Sequence, residues 1–336
     1  MSEPKRVKLD SEVLYPILSE DLTEDTPLIE VYYDTIADPK NISKVILSIN
    51  TVCPILDLTH LKRVRGRDIL IFPTEGIDKD NVRSMLEGKH FDVTLLEGNF
   101  RTTLVAKIPP RVRRQYDKVH KLWPCNFHSN KYLEKLSTNT LFSSQELQQH
   151  VDYIKLCIDI AQNFEKKIGT IFVDPQINSV VSIGYSQELE GPCRHSIMVA
   201  IDNVAKTQNG GTWNLEISPK NESELDLRGI PNNILPTLQN NHKNVSFGAS
   251  KYKAKDELEV PTDGPYLCTG YYVYSTHEPC VMCAMALIHS RAKKVFYGAP
   301  SSNGALETLC KIHTVKDLNH HYEVFGGLLR TECEKL

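Results

Sequence analysis

Pro279-Cys280-Val281-Met282-Cys283 opens an apolar run, Ala284-Met285-Ala286-Leu287-Ile288, and follows a strand-like stretch from Leu267 to Ser275. A Cys-x-x-Cys pair puts two thiolates one helical turn apart, so both can point at one ion near a helix N-terminus. That terminus also lowers thiol pKa values and favours the thiolate a metal requires. Pro279 suits the first turn of such a helix, where its missing N–H would have no partner anyway. Taken alone, the pair would also serve as a redox dithiol or a purely structural metal site. Far upstream, His195 precedes a second apolar helical run, Met198-Val199-Ala200-Ile201, and offers an imidazole. His195, Cys280 and Cys283 together make a three-ligand Zn2+ site with a fourth position open to water or another group. Cys333 and the carboxylate of Leu336 have the right chemistry for that position. Cys193, two residues before His195, reads as a packed thiol.

The spacing His195-x-Ile197 … Pro279-Cys280-x-x-Cys283 follows the signature H-x-E…P-C-x-x-C of zinc deaminases at every place but one. In that chemistry the Glu moves protons between a water, a ring nitrogen and the leaving ammonia. Ile197 stands in its place and has no titratable group. Glu278 precedes the Pro-Cys pair and offers no obvious substitute. The ligands are kept and the acid/base is lost, so no catalytic residue is predicted for this chain.

Longer stretches carry a resemblance. His195 to Asp202 (HSIMVAID), Tyr266 to Gly270 (YLCTG), Glu278 to Arg291 (EPCVMCAMALIHSR) and Leu318 to Phe325 (LNHHYEVF) resemble one family, as does Val119 to His128 (VHKLWPCNFH). It is the non-catalytic subunit of the eukaryotic tRNA-specific adenosine-34 deaminase, in the cytidine/deoxycytidylate deaminase superfamily. The resemblance is close in the C-terminal half and covers the N-terminal third only in outline. A nonpolar residue in place of the catalytic Glu is typical of that subunit. The resemblance implies a heterodimer with a catalytic deaminase subunit, tRNA as substrate, and conversion of wobble adenosine to inosine by the pair. Two other functions fit the same residues: a stand-alone nucleic-acid deaminase with an atypical acid/base, and an RNA-binding scaffold on a deaminase fold.

The 336 residues suffice for about two domains, and 40% hydrophobic content suits a globular class. No run approaches the about 20 apolar residues of a membrane span. Nine cysteines without an apolar leader read as reduced thiols and metal ligands inside the cell. A net charge of −3 requires any RNA contact to use local basic patches. Two runs qualify: Lys62, Arg63, Arg65 and Arg67, and Arg111, Arg113, Arg114 and Lys118. Each would equally serve as a solvated face. The cluster Pro4-Lys5-Arg6-Val7-Lys8-Leu9-Asp10 resembles a nuclear import signal, which predicts a protein of nucleus and cytoplasm.

The predicted fold class is α/β: a C-terminal three-layer α/β/α cytidine-deaminase-like domain preceded by a small α+β ferredoxin-like domain. Residues 1–26 are expected as a disordered tail and 27–109 as the ferredoxin-like, tRNA-binding domain. The latter reads β-α-β-β-α-β: strands at Leu28 to Tyr33, Leu61 to Val64 and Asp68 to Phe72, helices at Asn41 to Asn50 and Ile77 to Leu86. Phe91 to Leu96 and Thr103 to Ile108 are expected as closing strands. Residues 110–140 read as a connector and 141–336 as the zinc deaminase-like domain. Ser143 with Glu146 predicts a capped helix running to about Lys167. Within this domain 206–265 reads as a polar, mobile surface insertion.

Overall fold

A computed structural model describes residues 14–163, 168–213, 224–252 and 264–336. The chain divides into two compact units, Glu20–Leu141 and the residues up to Ser19 with Phe142–Leu336. Three elements come first. They are β1 (Tyr15–Pro16), which belongs to the second unit, α1 (Glu20–Thr23), and the start of the first sheet, β2 (Leu28–Thr35).

The first unit continues with α2 (Ile42–Val52), β3 (Val64–Arg65), β4 (Asp68–Pro73), α3 (Val82–Gly88) and β5 (Arg101–Ala106). Its sheet runs β3-β4-β2-β5 with every neighbouring pair antiparallel. That is the split βαβ arrangement the hydrophobic pattern predicts. Gly66 takes φ +61° between β3 and β4, as a two-residue hairpin loop requires. Alternation then assigns the two faces. Tyr32, Ile69 and Ile71 meet Val45 and Ile49 of α2 and Val82 and Leu86 of α3.

The opposite face, with Val31, Leu70 and Val105, is covered by Leu58, Leu61, Val119, Trp123 and Cys125. This corrects the expectation for residues 110–140. They carry α4 (Arg113–Val119) and α5 (Lys131–Ser137), and they belong to the first unit. Trp123 is fully buried, its indole N–H donates to the Lys62 carbonyl at 2.6 Å, and Leu61 bridges Cys125. Burying an aromatic of this size stabilises a fold by about 3 kcal/mol, enough to hold a nonperiodic segment in place. The strand expected at Phe91 to Leu96 is instead a 3₁₀ turn at Val93–Leu95, because the Asp92 carboxylate accepts the Thr94 N–H and caps it.

The second unit adds α6 (Ser144–Asn163), β6 (Gly169–Asp174), β7 (Ser179–Tyr185), α7 (Ser196–Thr207), α8 (Leu235–Asn241), β8 (Ser246–Phe247) and β9 (Tyr272–His277). It closes with α9 (Val281–His289), β10 (Lys294–Ala299), β11 (Glu323–Gly326) and α10 (Arg330–Cys333). Its sheet order is β1-β11-β10-β9-β6-β7-β8. β9, β10 and β11 run parallel, while β6 is antiparallel to both β9 and β7. On one face, Phe172, Val181, Val273, Val295 and Val324 pack with Ile197 and Ala200 of α7 and Ala284 and Leu287 of α9. On the other, His150 and Tyr153 of α6 stack against Tyr274 and Phe296. The three layers match the α/β/α expectation. The cap at Ser143 forms as a reciprocal pair: Glu146 accepts the Ser143 N–H at 2.8 Å, and Ser143 Oγ accepts the Glu146 N–H at 3.3 Å.

Three boundaries differ from the sequence reading. Residues 14–26 are ordered elements, not a tail: β1 pairs with β11, Leu14 and Ile17 are buried, and α1 caps the first unit with Leu22 inward. The region 206–265 is more than a surface insertion, since Ile230 and Leu238 are fully buried and β8 extends the sheet beside β7. The strand expected from Leu267 starts only at Tyr272, because Leu267 sits in a turn at φ +54°. The import-signal cluster Pro4 to Asp10, the helix end at 164–167 and the segments 214–223 and 253–263 lie outside the described residues.

Candidate metal centre

His195 and Cys280 are the N-cap residues of α7 and α9, with extended ψ values of 153° and 171°. Pro279 therefore precedes the cap instead of lying in the first turn. Cys283 follows as the third helical residue. Two features bring α7 down onto the sheet. Gly184 has no side chain, and a Cβ there would collide with the Ser196 carbonyl. Ser196 Oγ also hydrogen-bonds Thr170 Oγ1 at 2.9 Å. The two helix N-termini thus meet over the sheet, and His195 Nδ1 lies 3.5 Å from Cys280 Sγ and 3.6 Å from Cys283 Sγ.

All three ligand atoms lie within 4.8 Å of one another, and no other His, Cys, Asp or Glu among the described residues joins them. Zinc fits this set. Sulfur at about 2.3 Å and nitrogen at about 2.05 Å around a tetrahedral ion are separated by about 3.6 Å. The two thiols are also electronically unequal. Cys280 is lowered to about 5, first by the S–H that Cys283 donates to it and also by His195. Cys283 is pushed up by the same hydrogen bond and by burial. The shared hydrogen bond thus favours the thiolate at Cys280 and the thiol at Cys283.

Cys333 lies on the opposite face of the sheet, where it abuts Gly298, so it does not complete the centre from that position. Cys193 is exposed, not packed. Ile197 is 2% exposed and packs with Phe172, Ala200, Cys283 and Ala284. No proton carrier occupies that position. Glu278 cannot move in to replace it, because its carboxylate accepts N–H bonds from Ser301, Leu306, Glu307 and Thr308. Burial raises the Glu278 pKa, but the Thr308 hydroxyl and these amides outweigh it and hold the group below the usual value. This clamp was missed in the sequence, where only the adjacency of Glu278 to Pro279-Cys280 hinted at a role.

The basic candidates are largely engaged within the first unit. Arg63 is mostly buried and donates to the Cys53 and Ile71 carbonyls at 2.8 and 3.0 Å, and burial lowers its pKa to about 10. Arg65 lies 4.3 Å over Trp123 and donates to the Leu122 carbonyl. Arg67 binds the Ile36 carbonyl and Glu97. Arg111 pairs with Asp21, while Arg114 and Lys118 pair with Asp25 at 3.2 and 2.6 Å. Arg63 is therefore a structural residue, contrary to expectation. Lys62 is exposed, and exposed Arg113 lies over Tyr116 and Phe127, which stack at 4.8 Å.

Residues 147–299 match the family model described as "Cytidine and deoxycytidylate deaminase zinc-binding region". The chain is 32% identical to "Probable inactive tRNA-specific adenosine deaminase-like protein 3" of Mus musculus, over 99% of this chain and 96% of that protein. It is 25% identical to "tRNA-specific adenosine deaminase TAD3" of Arabidopsis thaliana, over 90% and 92% of the two chains. It is 26% identical to "tRNA-specific adenosine deaminase subunit tad3" of Schizosaccharomyces pombe, over 86% and 81%.

Proposed function

The chain belongs to the family of tRNA-specific adenosine deaminase-like protein 3, and on that premise we propose that it is the non-catalytic, zinc-binding subunit of a heterodimeric tRNA wobble-adenosine deaminase. One observation carries the proposal. His195, Cys280 and Cys283 converge at metal-binding distances, while the neighbouring position where a proton shuttle belongs holds buried Ile197. Zinc bound by these three residues would cross-link the N-termini of α7 and α9, which is a folding role. The proton transfers of deamination would then fall to a catalytic deaminase subunit, with which this chain forms the working pair.

The unit Glu20–Leu141 would hold tRNA, with exposed Lys62 and Arg113 and the half-buried Tyr116–Phe127 stack beneath Arg113 as the contacts. Guanidinium and aromatic planes of this kind suit unpaired bases and phosphates. Fixing the body of a tRNA determines which anticodon base reaches a partner's pocket. The basic run Pro4 to Asp10 extends the proposal to nuclear import, which is tested by transferring it to a reporter protein.

The test is co-expression with a catalytic deaminase subunit. The proposal predicts a one-to-one complex in which this chain contributes one zinc, and Cys280→Ala loses both the metal and the complex. Full complex formation and activity with Cys280→Ala would rule out the structural role of zinc.

A further inference from the structure

Cys280 and Cys283 are held by different means. Cys283 is fixed inside α9 by the helix itself. Cys280 is a cap residue in extended conformation whose side chain makes no capping bond, so its position depends on the segment that delivers it. That segment, Glu278-Pro279-Cys280, is stitched along its length to β10 and the loop Ser301–Thr308. The Glu278 N–H donates to the Ala299 carbonyl, the Ala305 N–H donates to the Pro279 carbonyl, and Cys280 bridges Gly304.

The stitching is closed by one buried carboxylate. Glu278 is 3% exposed and accepts from the amides of Leu306, Glu307 and Thr308 at 2.9, 2.7 and 3.0 Å, from Ser301 N–H at 3.2 Å and from the Thr308 hydroxyl. These bonds wrap the loop around a single charge. Gly304 lies directly against that charge, and a Cβ there would collide with the carboxylate. Five donors converging on one anion resemble a built binding site, but the anion is supplied by the chain two residues before a metal ligand. A salt bridge does not explain the arrangement, because no cation pairs with Glu278 among the described residues.

The geometry points to Glu278 as a positioning residue of the metal centre: it clamps the Ser301–Thr308 loop against the Pro279–Cys280 segment and thereby aims the Cys280 thiol at His195. This rests on the zinc reading above. Groups that orient a metal ligand without touching the ion change metal affinity by about 10- to 100-fold when removed. In Glu278→Gln the amide nitrogen is a donor turned toward donors, so the Ser301 N–H loses its acceptor and the loop loosens. Gly304→Ala attacks the same contact from the other side and leaves the carboxylate intact.

Cobalt titration of the full chain tests this, because the thiolate-to-cobalt absorption reports how many cysteines bind. The wild type should show a two-thiolate band. Glu278→Gln and Gly304→Ala should each show about half that intensity and zinc affinity weaker by about 10- to 100-fold, with far-ultraviolet dichroism of the metal-free protein unchanged. A full two-thiolate band and wild-type affinity in both variants would overturn the proposal. Loss of folded structure in both metal-free variants would also overturn it, since Glu278 would then serve the whole unit and not the thiol. Absence of a cobalt band in the wild type would instead refute the metal reading, and this inference would fall with it.

Discussion

His195 Nδ1 lies 3.5 Å from Cys280 Sγ, although 85 positions of chain separate them. Two helix N-termini from distant segments are brought to one point, and the sheet beneath them supplies the alignment. On the proposed zinc reading, an ion shared across that gap would contribute to folding.

Chelation should therefore destabilise the protein. At free zinc about 100 times the dissociation constant, binding adds about 2.7 kcal/mol. For a unit of this size that corresponds to a melting shift of roughly 5–10 °C. Calorimetry with and without chelator measures it. An unchanged melting temperature in protein loaded with zinc would contradict the cross-linking role.

Position 197 should behave as core. Ile197→Val should cost about 1 kcal/mol, as removal of one buried methylene does. Ile197→Glu buries a carboxylate among Phe172, Ala200 and Ala284 and should cost several times that, with no deaminase activity gained. Urea melts and an inosine assay on the variant check both halves. Activity from the Glu variant alone would show that the vacancy at 197 was the only barrier to catalysis.

Acid should unfold the second unit through two buried histidines. His150 is lowered to about 4 by burial and by nearby Lys294, and His313 is lowered to about 4 chiefly by burial. Unfolded histidine takes its proton near 6.5, so the unfolded state binds protons first as pH falls. Stability should be level above pH 6.5 and lost between about 6.5 and 4, at about 1.4 kcal/mol per pH unit for each histidine. His150→Phe should remove one of the two contributions. Urea denaturation at pH 7, 6 and 5 reads the slope, and an equal slope in the variant would contradict the assignment.

The acidic segment before β2 should compete with nucleic acid. Asp21 and Asp25 occupy Arg111, Arg114 and Lys118. Asp25→Asn should release Lys118, with Arg114 still held by the Thr23 and Glu24 carbonyls, raise tRNA affinity and steepen the salt dependence by about 0.9 for each phosphate gained. Arg63→Met should lower stability and leave tRNA binding unchanged, because the Arg63 guanidinium serves buried carbonyls. Filter binding across a salt series separates these outcomes.

The His195–Cys280–Cys283 cluster was legible in the sequence because metal-binding chemistry demands fixed residue types at fixed spacing. The β-α-β-β-α-β order was legible because alternation and helical spacing are local properties. What escaped depended on contacts between distant segments. Tyr15 and Pro16 are too few to show a period, yet they add a strand beside β11. Trp123 sits in a nonperiodic stretch, and only the exposed underside of a sheet explains why it is buried. The charge of Arg63 suggested an RNA contact, whereas the backbone carbonyls of Cys53 and Ile71 claim it. Glu278 looked unremarkable until the loop 301–308, more than twenty positions away, closed around it.

The most direct test measures inosine at the tRNA wobble position with this chain alone, a catalytic deaminase subunit alone, and the two mixed. A required, non-catalytic partner predicts activity in the mixture only. Inosine formed by this chain alone would contradict the reading of Ile197 and require another proton shuttle at the His195–Cys280–Cys283 centre.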